Sequence, residues 1–259
     1  MNEILALYEE EQRKNAHYYG MRTEQTPDVV RLVAENEGEG AVIYSRLVEA
    51  SADRVIREQI AYFEGLGQDF EWKVYNYDTP SDLRERLIAR GFECEEPESI
   101  MVLDLETAPA ALFEPVTADI RRITDPDQIS QVVQILNAVW NDDETITGEF
   151  LTGELTHSRY GNDLSIYLAY IDGIPASTGW IRFHEDSQFA GLWGGSSLEA
   201  FRGRGLYTAL LSVRAQEARR RGVRYLTIDA SPMSQPIVAK YGFEALAIAH
   251  ACQWTAKRD

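Results

Sequence analysis

The sequence predicts an α/β protein made of two related halves, each a mixed β-sheet with flanking helices. Stretches that alternate like strands take turns with stretches whose apolar residues lie three and four apart, as in helices. Both halves contain an Asp and a Pro ahead of a Gly-Phe-Glu, and the distance from Asp78 to Gly91 equals that from Asp229 to Gly242. Pro and Gly punctuate many helices in this way, so the repeat also depends on the matching order of the flanking elements.

Composition and charge narrow the class of protein. The 259 residues include 44% hydrophobic and 26% charged residues, which is typical of a soluble globular protein with a sizeable core. A net charge of −17 argues against nucleic acid and anionic membranes as partners. Two cysteines, Cys94 and Cys252, are too few for a disulfide framework, and no histidine spacing suggests a metal. We therefore expect a cytoplasmic protein with free thiols, no signal peptide, no membrane span and no metal.

The first half, residues 1–110, is predicted to form one domain. On its clearest helix, Val55, Ile56 and Phe63 share one face, and glycines follow. The predicted helices are 1–16, 52–65 and 80–90, and the predicted strands are 28–34, 41–47, 71–77 and 100–105. A polar turn at 35–40 joins the first two strands, and residues 106–115 are the best linker.

The second half, residues 117–259, is predicted to form the other domain. Asp172-Gly173 is a hairpin dipeptide between two strands, and Gly222 ends the clearest helix after a basic last turn. The predicted strands are 119–123, 164–171, 176–184, 189–198, 225–230 and 248–255, and the predicted helices are 127–140, 206–221 and 232–241. An acidic loop, 141–144, follows the first of these helices.

The strongest local signal lies between the strand at 189–198 and the helix at 206–221. Gly203 and Gly205 allow close approach to a helix N-terminus, whose free N–H groups favour an anion, and Arg202 and Arg204 add positive charge. A P-loop is excluded because no Gly-Lys-Ser/Thr is present. The turn matches a dinucleotide-binding fingerprint more closely, through Gly203, Gly205 and the downstream Asp229. It comes too late in the chain, however, because a dinucleotide-binding fold begins with this turn.

This turn resembles the Q/R-x-x-G-x-G/A signature of the GNAT superfamily of acyl-CoA-dependent N-acyltransferases. Tyr207 stands where the family usually has Gly or Ala. The resemblance implies two GNAT-like domains, of which the first is a degenerate copy without a CoA-binding loop, since Val48-Glu49-Ala50-Ser51 carries neither glycine nor arginine. It further implies that acetyl-CoA, the acyl donor, binds the turn and the strand before it. The implied binding residues are Ser196, Ser197, Leu198, Arg202, Gly203, Arg204, Gly205, Leu206, Tyr207 and Thr208.

Catalytic groups are harder to assign. The family's proton-donating tyrosine is replaced by Val238, and Tyr241 is on another face of its helix. Asp229, at a strand end, is the first candidate for the general base, although it also suits the role of helix N-cap. Glu199 is the second candidate, with plain solvent exposure as the alternative.

The sequence therefore favours an N-acetyltransferase that moves acetyl from acetyl-CoA to a primary amine of a small molecule or protein. The acidic charge favours a cationic acceptor. Two alternatives stay open: a catalytically idle acyl-CoA-binding regulatory module and, more remotely, an NAD-dependent oxidoreductase.

Overall fold

The computed structural model describes residues 3–36, 38–157 and 159–256. They divide into two compact units, each with its own buried core. The first unit lies within residues 3–101, 229–239 and 244–256, and the second within 102–228 and 240–243. Glu37 of the predicted 35–40 turn lies outside the described residues.

Helices and strands alternate along the described chain, as the sequence pattern predicts. The helices are α1 (Glu3–Tyr8), continued by a π-helix (Glu9–Lys14), α2 (Glu49–Leu66), α3 (Leu83–Ile88), α4 (Ile129–Trp140), α5 (Thr145–Thr156), α6 (Leu206–Arg220) and α7 (Gln235–Ala239). The strands are β1 (Met21–Gln25), β2 (Val29–Ala34), β3 (Gly40–Ser45), β4 (Phe70–Tyr75), β5 (Glu93–Cys94), β6 (Glu98–Asp104), β7 (Asp119–Arg122), β8 (Leu164–Ile171), β9 (Ile174–Phe183), β10 (Phe189–Ser197), β11 (Tyr225–Ala230) and β12 (Glu244–Trp254).

The first unit packs α2 on a mixed sheet. β1, β2 and β3 pair antiparallel, β3 pairs with β4 in parallel, and β12 pairs antiparallel with both β4 and β5. The ring of Phe63 on α2 stacks on Phe70 of β4 at 4.3 Å between centroids. Gly40 is needed beneath it, because a Cβ there would lie 2.1 Å from the Phe63 ring. Both rings are fully buried and belong to a core that also contains Trp72, Phe92 and aliphatic side chains.

The second unit is a mixed sheet covered by α4 and α6. β7, β8, β9 and β10 pair antiparallel, and β10 pairs with β11 in parallel. The β8–β9 hairpin turns at Asp172 and Gly173 with φ of 51° and 79°, the left-handed pair that an Asp-Gly turn predicts. Val132 and Ile135 of α4 pack in a core with Leu164 of β8.

Three expectations on the elements need correction. β1, β5 and α5 were not predicted, and the helix expected over 232–241 is confined to Gln235–Ala239. The expected linker 106–115 contains a 3-10 turn whose Leu112 is 1% exposed, so part of it is core. That residues 1–110 and 117–259 are two related domains stays a prediction. The compact units divide differently, because β12 lies in the first unit.

The expectation of free thiols was also wrong. Cys94 of β5 and Cys252 of β12 are paired residues on neighbouring strands and form a disulfide across 158 positions. The sequence did not indicate this bridge, because only the register between β5 and β12 brings the two cysteines together. Among the described residues, no helix is long and apolar enough to cross a membrane.

Candidate functional site

The connection between β10 and α6 has the conformation that its glycines permit. Gly203 and Gly205 have φ of 75° and 77°, which are left-handed values that cost other residues about 1–2 kcal/mol. No atom lies within 4 Å of a Cβ placed on either glycine, so the space around the turn is open. α6 begins at Leu206, and its N-cap residue, Gly205, provides no side-chain cap. Its first N–H groups are therefore available to an anion.

The two arginines of the turn keep their charge exposed. Arg202 donates to the carbonyl oxygen of Ser197 at 3.3 Å, and Arg204 lies 5.5 Å from the Phe201 ring centroid. Neither forms an ion pair with a carboxylate among the described residues. In a chain of net charge −17, this is a local positive site beside a helix N-terminus.

β10 and β11 pair only at one end. Their parallel ladder comprises Phe189–Gly191 and Tyr225–Thr227, whereas β10 continues to Ser197. The ladder between β10 and β9 has a register shift between Trp193 and Ser196, which is a β-bulge. The part of β10 beyond Gly191 thus leaves this ladder just before the turn, and its backbone can pair with an extended ligand.

Glycines shape the bulge. Gly194 has φ of 60°, and a Cβ on it would lie 1.7 Å from the Trp180 ring. A Cβ on Gly195 would lie 3.0 Å from the ring of Tyr207. A side chain at the exposed Gly195 would therefore crowd Tyr207, whose half-buried ring lies against the bulge. Burial raises the pKa of Tyr207, and the charge of Arg214 opposes this rise.

Side chains of neighbouring elements hold the end of β10 in place. The hydroxyl of Ser177 donates to the carbonyl oxygen of Ser196 at 2.7 Å, and the indole N–H of Trp140 donates to the Ser196 hydroxyl at 3.2 Å. The backbone N–H of Leu198 donates to the carbonyl oxygen of Ala176 at 3.0 Å. The predicted binding strand is therefore held by hydrogen bonds from β9 and α4.

Thr208, in the first turn of α6, shares a hydrogen bond of 2.5 Å with Tyr241 through their hydroxyl groups. Sequence reasoning expected Tyr241 only to pack. Val238, which the resemblance aligns with a proton-donating tyrosine, is fully buried.

Asp229, the first candidate for the base, lies in the first unit and forms an ion pair. Its Oδ2 lies 2.8 Å from Lys73 Nζ, which is also 3.1 Å from Glu98 Oε2. Burial alone would lower the pKa of Lys73, but Asp229 and the neighbouring acids raise it well above its ordinary value. One oxygen of Asp229 is thus paired with a cation. Asp229 lies within β11, and α7 begins only at Gln235, so Asp229 is not the N-cap of that helix.

Glu71 was missed by sequence reasoning. Burial raises the pKa of its carboxyl group, Lys73 opposes this rise, and Asp229 and Glu98 add to it. The alternation of β4 contained the signal, because it places Glu71 and Lys73 on the face opposite Phe70 and Trp72. Glu199, the second candidate, begins an exposed 3-10 turn and has no ion pair among the described residues. Its role as a base stays a prediction.

Comparison with known proteins supports the fold. No family model matches the chain, and no curated protein matches it by sequence. Among solved structures, a GCN5-related N-acetyltransferase from Kribbella flavida has a TM-score of 0.70 at 13% identity, covering 96% of this chain and 93% of that one. A tandem GNAT protein from the clavulanic acid biosynthesis pathway has a TM-score of 0.61 at 15% identity, with 95% and 86% covered. The GCN5-related N-acetyltransferase from Sphaerobacter thermophilus has a TM-score of 0.61 at 13% identity, with 97% and 90% covered.

The chain therefore has the GNAT fold, two mixed β-sheet units with flanking helices, as the turn at 202–208 predicted. At identities of 13–15%, these similarities show the fold alone.

Proposed function

We propose that the protein is an N-acetyltransferase that uses acetyl-CoA as its donor substrate. The carrying observation is the conjunction of an open, uncapped helix N-terminus bearing Arg202 and Arg204 with a strand that leaves its parallel ladder just before it. The turn offers N–H groups and charge to a pyrophosphate, and β10 offers backbone groups to a pantetheine arm. Neither feature alone would specify an acyl-CoA.

The residues present suit acyl transfer to an amine. The N–H groups of the β10 bulge are the groups available to polarise a thioester carbonyl, and a carboxylate or water takes the proton of the attacking amine. The acceptor is proposed to be a primary amine of a small molecule or a protein, and the acidic chain favours a cationic one. Nucleic acid and anionic membranes remain unfavoured partners on the same ground.

Calorimetric titration of the purified chain with acetyl-CoA, CoA and NADH tests the proposal. We expect acetyl-CoA to bind at one site per chain, with an affinity in the micromolar range, about −8 kcal/mol. NADH is expected not to bind, which would end the oxidoreductase alternative. Absence of acetyl-CoA binding would remove the turn from this account.

A catalytically idle acyl-CoA-binding module is the second candidate. It is favoured by Val238 at the tyrosine position and by the engagement of Asp229 with Lys73. A screen of primary amines with release of free CoA as the readout separates the two. Tight binding of acetyl-CoA with no turnover over the panel would favour the module.

The proposed compartment is the cytoplasm, and the Cys94–Cys252 disulfide is the observation against it. Rapid alkylation of thiols in intact cells, followed by mass measurement, decides between them. Two alkylated cysteines support the cytoplasm, and an unmodified pair indicates an oxidising compartment.

A further inference from the structure

Arg214 is a buried cation of the second unit without a carboxylate partner. It lies on α6, is 1% exposed, and forms no ion pair among the described residues. Its Nε donates to the carbonyl oxygen of Leu210 at 3.0 Å, and its Nη1 donates to those of Trp180 at 3.1 Å and Trp193 at 3.3 Å. None of the hydrogen bonds within the described residues uses Nη2. Burying a guanidinium on backbone carbonyls alone is unfavourable, so its retention calls for a reason.

Its position links the turn to the bulge. Trp193 and Trp180 are register partners on β10 and β9, and the bulge begins immediately after Trp193. On β9, Gly179 makes room, since a Cβ there would lie 3.0 Å from Nη1 of Arg214. Arg214 therefore fixes the last regular residue of β10 to the same helix whose N-terminus carries the anion site.

Its charge persists at neutral pH. Burial lowers the pKa of Arg214 to about 10, with Tyr207 and Tyr167 opposing the change. A fixed positive charge in a poorly solvated environment stabilises negative charge that develops near it, because little solvent screens the interaction.

We propose that Arg214 is a positioning residue for acyl transfer, which holds the bulge of β10 and polarises, through its charge, a thioester carbonyl bound there. The proposal rests on the proposed function. In the transfer, the amine nitrogen bonds to the carbonyl carbon and the carbonyl π electrons move to oxygen. They return as the C–S bond breaks, and sulfur leaves with the bonding pair. The amine proton goes to a carboxylate or water, and solvent protonates the thiolate.

The negative charge thus appears first on oxygen and then on sulfur. In this account, the arginine supplies electrostatic stabilisation for the negative charge on oxygen. It explains why a cation without a counter-ion lies behind the bulge instead of an apolar side chain.

The test is isotope-edited infrared spectroscopy of acetyl-CoA labelled with carbon-13 at the thioester carbonyl. In the wild type, the carbonyl band is expected to shift to lower frequency on binding, and Arg214→Met is expected to lose most of that shift. Arg220→Met, at an exposed arginine of the same helix, is the matched control and should retain the shift. With an active amine acceptor, Arg214→Met should lower kcat about 10²- to 10³-fold, as loss of one oxyanion donor does.

Arg214→Lys keeps the test decisive even where Arg214→Met does not fold. A buried lysine loses its proton far more readily than an arginine. In the Lys variant the band shift should therefore disappear as pH rises between 6 and 9, whereas the wild-type shift should stay constant. A merely structural role would give no such pH dependence.

The outcomes separate the two proposals. Failure of the wild type to bind acetyl-CoA overturns the proposed function and this inference with it. Binding with the same carbonyl frequency in the wild type and in both Arg214 variants at every pH overturns only the role of Arg214.

Discussion

The β3–β4 region of the first unit and the β10–β11 region of the second share a short parallel ladder but differ in the connection that follows it. Each pair of parallel strands forms a ladder of three residue pairs, Gly40–Val42 with Phe70–Trp72 and Phe189–Gly191 with Tyr225–Thr227. In each unit a helix follows the first strand of the pair. The backbone scaffold for holding an extended ligand is therefore present twice.

The chain itself occupies the region in the first unit. Arg13 of the π-helix donates to the carbonyl oxygen of Ile43 on β3 at 2.9 Å and pairs with Asp78 at 3.0 Å, and it lies 3.7 Å from the Tyr75 ring centroid. The connection from β3 to α2 ends at Val48, which is extended, and it contains no left-handed glycine. The comparison teaches that the fold supplies an opening between strands, and that side chains decide whether a ligand or the protein fills it.

The largest expected effect concerns the turn. Arg202→Glu combined with Arg204→Glu should weaken acetyl-CoA binding about 10²- to 10⁴-fold, because hydrogen bonds to charged groups contribute about 1.5–3 kcal/mol each. The same change at Arg46, in the matching connection of the first unit, should leave the affinity unchanged. Calorimetry on both variants checks this. An equal loss of acetyl-CoA affinity in the Arg46 variant would contradict the assignment of binding to the turn of the second unit.

The next effect concerns the buried pair of the first unit. Arg13→Met leaves Asp78 buried without its partner and should lower the free energy of unfolding by about 3–5 kcal/mol. Arg13→Met with Asp78→Asn should cost less, since no buried charge is left behind. Urea denaturation measures both. Acetyl-CoA stoichiometry should remain one per chain, and a second site in the Arg13 variant would contradict the account of the turn.

A disulfide stabilises the first unit only. Replacing Cys94 and Cys252 with Ser should lower the free energy of unfolding by about 2–5 kcal/mol, because the bridge restricts the unfolded chain over 158 positions. Acetyl-CoA affinity should be unaffected. Chemical denaturation with and without reductant provides the measurement. Identical curves for wild type and variant under oxidising conditions would show that no bridge forms in solution.

The smallest effect contrasts the half-buried Glu71 with the buried Glu217. Burial raises the pKa of Glu71 in the first unit, so its ionisation opposes folding and this unit loses stability as pH rises above about 4.5. Burial would also raise the pKa of Glu217, but hydrogen bonds from Tyr167, Ser165 and Arg221 lower it, so its contribution is present at neutral pH and lost on acidification.

Glu71→Gln should therefore stabilise the protein at pH 7, and Glu217→Gln should destabilise it, each by about 1–3 kcal/mol. Thermal unfolding between pH 4 and 8 measures the signs. The same sign for both variants at pH 7 would refute the assigned environments.

The sequence by itself determined the elements whose signals are local. The Asp172-Gly173 hairpin, the glycine turn at 203–205 and the helix that it starts depend on φ angles that few residues adopt, and the structure confirms all three. The fold class followed from that turn and the order of elements. The roles of Asp229 and Glu199 as bases stay predictions.

Tertiary structure alone decided which distant residues meet. Lys73 reaches Asp229 over 156 positions, Arg13 reaches Asp78 over 65, and Cys94 reaches Cys252 over 158. No local spacing encodes these contacts, because they depend on strand register and on which strands become neighbours. The same holds for Arg214, which sequence periodicity places on a helix and only packing places behind the bulge. The backbone conformation of the turn at 203–205 thus follows from the local sequence, whereas the partners of these charged residues follow from sheet topology.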